Sequence, residues 1–308
     1  MAKLLICDPI HPAGVEMLKK AKLQVEEDPT ITAELLIKRI GDVDALIVRG
    51  RTKVTAAALD AASHLKVIAR SGVGLDNIDL EAAKRRSIKV ISTPAAPTTS
   101  VAELTIGLML NVLRKISYAD RTIKEGRWVK NELIGSELKS KTVGIIGAAG
   151  RIGMEVARIA VQGFGSTVLG YDVIDLSEKA RQVGFTVTNL DDLLRQSDII
   201  SIHVPYLPAT HHLVNRNFLE KTKQGAVIIN ASRGDIIDGQ ALLQSIKVGR
   251  IAGAGLDVFH KEPPVDEWEK SLTQLPNVVC TAHVGAQTTE CQRLESVQIA
   301  EQLIQLFQ

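Results

Sequence analysis

Along residues 3–98, short apolar runs alternate with stretches whose apolar positions recur at helical spacing. The runs predict strands at 3–7, 23–26, 45–48, 67–69 and 90–91, and the spacing predicts helices at 12–20, 32–40, 55–62 and 79–86. Thr55 before an alanine run and Asp79 before Leu80-Glu81 read as N-caps. Alternating strands and helices indicate an open parallel sheet. The first strand is followed by Asp8-Pro9 rather than glycines, so no dinucleotide is expected on this sheet.

The pattern breaks at 92–100, a proline-rich, small-residue segment, where the chain is expected to leave the first domain. One long helix is predicted over 101–124, apolar early and charged late, followed by a polar loop to Lys141. Its apolar face suits a subunit interface. Burial within the same chain would serve it almost as well.

Residues 142–172 carry the strongest pattern. An apolar run at 143–146 leads into Gly147, Gly150 and Gly153, then a helical pattern, then a second run that ends on Asp172. Strand, glycine turn, helix, strand and acid form the βαβ unit that binds a dinucleotide. Gly147 permits the tight turn. Gly150 lets backbone approach a pyrophosphate on the helix N-terminus, and Gly153 lets helix and sheet pack closely. Asp172 can accept bonds from the two ribose hydroxyls and repels an NADP phosphate; no Arg or Lys follows before Lys179. The cofactor expected is NAD. A plain βαβ unit would leave the terminal acid without a role. The turn reads G-x-x-G-x-x-G, one residue longer than the usual G-x-G-x-x-G.

Beyond Asp172 the pattern predicts helices at 177–182 and 190–195, strands at 186–187, 199–203, 226–230, 251–256 and 277–280, and one amphipathic helix over 288–307. That helix is expected to return to the first domain. The expected division is 1–98 plus 288–308, a flavodoxin-like substrate domain, and 99–287, a Rossmann NAD-binding domain. The fold class is α/β, with two doubly wound parallel sheets.

Composition narrows the class without redirecting it. The chain has 308 residues, enough for two cores, and 45% of them are hydrophobic. A net charge of +2 gives no reason to expect nucleic acid or an anionic membrane. Lys84-Arg85-Arg86 reads as a solvated helix face. The three cysteines include no C-x-x-C pair, and Cys7 and Cys280, in or beside strand runs, are expected to be buried thiols. This suits a reducing cytoplasm. The apolar residues 4–7 are cut short by Asp8-Pro9 and read as a strand rather than a leader, and no run reaches membrane-spanning length.

Open α/β sheets bind ligands at the carboxyl ends of their strands. Arg233, Glu262 and His283 sit at or just after three such ends. Arg holds a carboxylate bidentately, His exchanges a proton near neutral pH, and Glu holds and charges the His. His203, His211 and His212 are rivals for the histidine role, the last two reading as a surface turn. Ser71, Gly72, Val73 and Gly74 follow the strand at 67–69 and offer backbone N–H groups to a carboxylate, or simply a tight turn. No G-x-S-x-G elbow, Walker loop, H-E-x-x-H or metal-ligand cluster is present.

Taken together, Ala69-Arg70-Ser71-Gly72-Val73-Gly74-Leu75-Asp76-Asn77-Ile78-Asp79, Ser100-Val101-Ala102-Glu103-Leu104, the glycine turn, His203-Val204-Pro205, Asn230-Ala231-Ser232-Arg233-Gly234, Leu256-Asp257-Val258-Phe259, Glu262-Pro263-Pro264 and Ala282-His283-Val284-Gly285 resemble the D-isomer-specific 2-hydroxyacid dehydrogenases, in order and across nearly the whole chain. The resemblance implies that Arg233 binds substrate carboxylate and carbonyl, that His283 exchanges the proton, and that Glu262 pairs with it. It implies cofactor contacts at Gly147, Gly150, Arg151, Ile152, Gly153, Asp172, His203, Val204, Pro205, Thr210, Ala231, Ser232, Arg233, Asp257, His283 and Gly285, with Asp257 on the nicotinamide carboxamide. It also implies a homodimer through the helix near 101–124. Because the sequence stops at Gln308, no C-terminal serine-sensing domain is expected.

The expected substrate is 3-phosphoglycerate, ahead of a glyoxylate, hydroxypyruvate or D-lactate type of acid. An NAD-sensing, corepressor-like binding protein is the alternative of another class. A phosphorylated substrate needs cations at its far end, and Arg49 and Arg51 follow the strand at 45–48. As substrate contacts they join Ser71, Gly72, Val73, Gly74, Arg233 and His283. They could equally be solvated loop charges.

Overall fold

The computed structural model describes all residues, Met1–Gln308, and divides them into two compact units, Met1–Pro97 with Ala286–Gln308, and Thr98–Gly285. In the first unit, strands β1 (Lys3–Ile6), β2 (Gln24–Glu27), β3 (Ala45–Val48), β4 (Val67–Arg70) and β5 (Lys89–Ser92) form one parallel sheet in the order β2-β1-β3-β4-β5. This is the flavodoxin-like order. The central strand Ala45–Val48 is buried throughout, as an apolar run covered on both faces must be. Thr55 and Asp79 cap their helices as read, accepting bonds from Ala58 N and Ala82 N. The helix Thr289–Phe307 packs on Pro12–Lys20. Gly14 makes that approach possible, because a Cβ there would lie 2.3 Å from Ser296 Oγ.

In the second unit, strands β6 (Thr142–Ile146), β7 (Thr167–Tyr171), β8 (Thr186–Val187), β9 (Ile199–Ile202), β10 (Ala226–Asn230), β11 (Ile251–Leu256) and β12 (Val278–Cys280) form a parallel sheet in the order β12-β11-β10-β9-β6-β7-β8. Counted from β6, its first six strands follow the Rossmann order, and β12 adds an edge. Two aliphatic clusters cover its faces, one around Ile202 and Ile228, the other around Ile145 and Val156.

Two expectations are corrected. The predicted helix over 101–124 is two helices, Thr98–Arg114 and Ile116–Lys124, broken at Lys115, whose φ of 55° is left-handed. The Asn111 side chain drives the break: its Nδ2 donates to Ser117 Oγ at 2.7 Å and its Oδ1 accepts from Ser117 N at 2.9 Å, replacing helical backbone bonds. Cys7 is buried, and burial pushes its thiol up to about 12. Cys280 is exposed, because β12 is an edge strand. Short helices at Arg216–Lys221, Gly239–Lys247 and Glu267–Thr273 complete the crossovers that the apolar runs alone left unassigned.

Candidate active site

In each unit the strand order reverses at one point, and the loops there are where a doubly wound sheet takes its ligand. In the second unit the reversal lies between β6 and β9. Gly147 leaves β6 with φ +87°, and a Cβ on it would lie 2.6 Å from the His203 carbonyl oxygen at the end of β9. Gly150 is the N-cap of the helix Arg151–Arg158. A Cβ on Gly153 would fall 2.3 Å from Gly147 O, so only glycine lets the helix start this close to the strand. The extra residue of the turn is absorbed over the end of β7: Ala148 N donates to Tyr171 O, and Ala149 N donates to Asp172 Oδ2 at 2.9 Å. Asp172 is therefore tied to the turn while remaining partly exposed. A backbone cradle with no room for Cβ atoms, a helix N-terminus and a strand-end carboxylate fit a dinucleotide of the NAD type.

The loops after β9 and β10 are fastened to each other. Ser232 Oγ donates to Val204 O. Buried Asn230 accepts from Ser232 N at 3.0 Å and donates to Arg233 O at 2.9 Å, which fixes the backbone of Arg233. Thr210 Oγ1 accepts from Leu207 N and donates to Pro205 O at 2.7 Å, closing the 204–210 loop. His203 bonds Ser201 Oγ at 2.8 Å through Nε2, and burial lowers its pKa to about 4. It is neutral at physiological pH, so it does not compete for the proton-exchanging role. His211 and His212 stack on an exposed turn.

His283 Nδ1 lies 2.8 Å from Glu262 Oε2, an imidazole–carboxylate pair across 21 residues of sequence. Burial pushes the Glu262 carboxyl up. The hydrogen bond and charge of His283, the Phe259 N–H and the charge of Arg233 outweigh that and hold it below the usual carboxylate range. His283 has φ +52°, and both it and Glu262 are partly open to solvent. Gly234 allows the Arg233 loop to meet the Glu262 loop, since a Cβ there would lie 2.0 Å from Phe259 O. The structure thus brings Glu262 and His283 into contact and sets Arg233 on the adjoining loop.

Asp257, expected at the nicotinamide carboxamide, is also bound to the turn that carries His283. It is 1% exposed; Oδ1 accepts from Thr281 Oγ1 at 2.6 Å and Val284 N at 2.8 Å, and Oδ2 accepts from Gly285 N at 2.9 Å. In this structure the acid at the end of β11 anchors the turn that carries His283. A second imidazole–carboxylate pair, His260 with Asp235, clips the Arg233 loop to the Glu262 loop. Sequence reasoning passed over His260. Its signal was its position two residues before Glu262.

In the first unit the reversal lies between β1 and β3, and Asp8 organises it. The carboxylate is buried and accepts from Arg49 N at 2.6 Å, Thr52 N at 3.2 Å and Thr52 Oγ1 at 2.7 Å. Arg51, a candidate phosphate contact, bonds the strand ends while half of its side chain stays exposed: Nη1 donates to Ile31 O, Nη2 donates to Cys7 O, and Nη2 also lies 3.1 Å from Asp8 Oδ1. Arg49 extends to within 3.8 Å of Glu295 Oε2. The nest at Ser71–Gly74 is half spent, because Ser71 N donates to Val48 O and Gly72 N to Thr93 Oγ1. That leaves the amides of exposed Val73 and of Gly74 for a ligand.

Residues 106–285 match the sequence model for the NAD-binding domain of D-isomer-specific 2-hydroxyacid dehydrogenases. The chain is 41% identical over 304 residues to D-3-phosphoglycerate dehydrogenase of Archaeoglobus fulgidus, covering 99% of this chain but 57% of that one. It therefore spans little more than half the length of that relative. It is 43% identical over 297 residues to hydroxypyruvate reductase of Thermotoga maritima, covering 96% of this chain and 95% of that one. Among solved structures, a glyoxylate reductase from Paecilomyes thermophila superposes with a TM-score of 0.88 at 30% identity, covering 98% of this chain and 94% of that one. D-lactate dehydrogenase from Aquifex aeolicus, complexed with NAD and lactic acid, gives 0.85 at 29% identity, covering 99% and 93%.

Proposed function

The chain belongs to the D-isomer-specific 2-hydroxyacid dehydrogenases, and from that premise we propose that it is an NAD-dependent oxidoreductase acting on the CH–OH group of a D-2-hydroxy acid. The observation that carries the proposal is the His283–Glu262 pair at 2.8 Å beside the Arg233 loop. Arg233 binds the substrate carboxylate and orients the 2-oxo group. NADH, when bound, would supply the hydride. His283 holds Nδ1 toward Glu262, which leaves Nε2 to deliver the proton to the carbonyl oxygen in reduction and to take it back in oxidation. Glu262 fixes the ring and stabilises the imidazolium. Asp172 would hold the ribose diol, and the amides of Arg151 and Ile152 at the helix N-terminus would hold the pyrophosphate.

For the substrate we propose 3-phosphoglycerate, oxidised to 3-phosphohydroxypyruvate as the entry to serine biosynthesis, on the kinship with phosphoglycerate dehydrogenases. A specific observation favours a second reading, reduction of hydroxypyruvate or glyoxylate: the Arg51 guanidinium already bonds Cys7 O and Arg49 already faces a carboxylate. An intact imidazole–carboxylate pair speaks against an NAD-sensing binding protein. The free thiols suit the cytoplasm, and no helix is long and apolar enough to cross a membrane. A homodimer through the helices at Thr98–Arg114 and Ile116–Lys124 is supported by Ile116, Ile123, Trp128 and Ile134, each more than half exposed.

The test is a panel of 2-oxo and 2-hydroxy acids with NAD(H) and NADP(H), followed at the nicotinamide absorbance. Turnover of 3-phosphoglycerate with NAD supports the first reading, and turnover confined to hydroxypyruvate or glyoxylate supports the second. No turnover of any acid overturns the dehydrogenase assignment.

A further inference from the structure

Glu295 is the anomaly of the first unit. It lies in the helix Thr289–Phe307, is 1% exposed, and neither carboxylate oxygen has a hydrogen-bond partner of ordinary geometry. The weakly donating thiol of Cys291, one turn earlier, favours its charged form. A buried charge without bonds is costly, and an apolar side chain would fill the position at less cost. Packing therefore does not account for it. What it faces does: Arg49 Nη2 is 3.8 Å from Oε2, close enough for charge attraction and too far for a hydrogen bond.

Both partners are held in place. Ser296 Oγ, next to Glu295, donates to His11 O at 2.7 Å, and the helix is pressed on Pro12–Lys20 at Gly14. The backbone of Arg49 is clamped from two sides, by Asp8 on its N–H and by Asn77 Nδ2 on its carbonyl at 2.8 Å. The Arg49 side chain is 21% exposed, and its Nη2 faces buried Glu295.

We infer that Glu295 is a specificity-determining residue. It is an internal counter-ion that competes for Arg49 with an anionic substrate tail, and it lowers the preference that Arg49 alone would give phosphorylated acids over 2-oxo acids with uncharged tails. The inference rests on the reading of Arg49 as the residue that meets the far end of a 2-hydroxy acid. An arriving phosphate has to share the guanidinium with a fixed negative charge behind it, and in a partly desolvated setting that repulsion is weakly screened. A hydroxymethyl or methyl tail carries no charge and feels none of it.

The experiment measures kcat/KM with NADH for 3-phosphohydroxypyruvate and for hydroxypyruvate in the native protein, Glu295→Gln, Arg49→Ala and the double variant. Glu295→Gln raises the ratio of phosphorylated to unphosphorylated acid roughly tenfold, the scale of one partly screened charge pair several ångströms apart. In the Arg49→Ala background the same change leaves the ratio where it was. Glu295→Met, which removes the charge with a different side chain, gives the same rise. An unchanged ratio in both Glu295 variants, or an equal rise with Arg49 removed, overturns the inference. If the native protein reduces neither acid, the dehydrogenase reading fails on its own. Calorimetry with inorganic phosphate then decides the matter: binding tightened roughly tenfold by Glu295→Gln and lost in Arg49→Ala supports the inference, and equal binding in all forms overturns it.

Discussion

Asp257 holds His283 from beneath: its backbone carbonyl accepts the His283 N–H at 2.8 Å, while its carboxylate takes the amides of Val284 and Gly285. The left-handed backbone of His283 is paid for by this set of bonds. Asp257→Asn puts an NH2 group against at least one of those amides. The expected result is a stability loss of about 1.5–3 kcal/mol, the scale of hydrogen bonds to a charged group, and a lower kcat. Thermal denaturation with steady-state kinetics checks both; an unchanged kcat would show that the turn holds its shape without the carboxylate.

The acid limb of activity belongs to Glu262. Its carboxyl is held below the usual carboxylate range, so its pairing with His283 is fully present above the unfolded value, about 4.3, and is lost as pH falls through the lower folded value. The native kcat/KM should keep its plateau to a pH below the ordinary carboxylate range. Glu262→Gln removes that acid limb and lowers the plateau. His283→Ala costs roughly 10²–10⁴ in kcat, the scale of general acid catalysis, with NADH binding by fluorescence nearly intact. An unchanged rate in His283→Ala removes this residue from the chemistry.

Asp172 serves the glycine turn as well as the ribose, because its Oδ2 accepts the Ala149 amide. Asp172→Ser should weaken NADH binding and narrow the preference over NADPH. It should also speed deuterium exchange of the Ala149 amide. Better use of NADPH than NADH by the native protein would contradict this reading.

The two arginines after β3 should separate. Arg51 bonds Ile31 O and Cys7 O and pairs with Asp8, so Arg51→Ala lowers the melting temperature and affects all substrates alike. Arg49→Ala should cost about 1.5–3 kcal/mol of binding for a phosphorylated acid and little for glyoxylate. Parallel losses in both variants would mean that neither recognises the tail.

Glu295 also predicts stability. Burial raises its carboxyl above the usual range, against the pull of Arg49 and Arg70. Its ionisation therefore opposes folding increasingly as pH rises from the unfolded value through the raised folded one. Glu295→Gln should be more stable than the native chain by about 1 kcal/mol at neutral pH and equal to it near pH 4. A lower melting temperature for the variant at neutral pH would show the charge to be stabilising.

The alternation of apolar runs and helical spacing was enough to read two parallel α/β sheets, because a strand covered on both faces has few alternatives to a continuous aliphatic run. The turn at Gly147, Gly150 and Gly153 was legible for a related reason: close backbone approach admits only glycine, so the geometry leaves a residue signature. The break at Lys115 was not legible. It depends on the Asn111 side chain reaching Ser117, a local bond that competes with an otherwise good helical sequence. Nor could the sequence assign the charges. Arg49 and Arg51 read alike, two positions apart, yet Arg51 bonds the strand ends and Arg49 faces a glutamate nearly 250 residues later in the chain. Asp257 read as a ligand contact, and its second task of anchoring the His283 turn could not be read from the sequence. Periodicity and backbone sterics are written locally and survive in the sequence. Which charge meets which depends on contacts that only the folded chain makes.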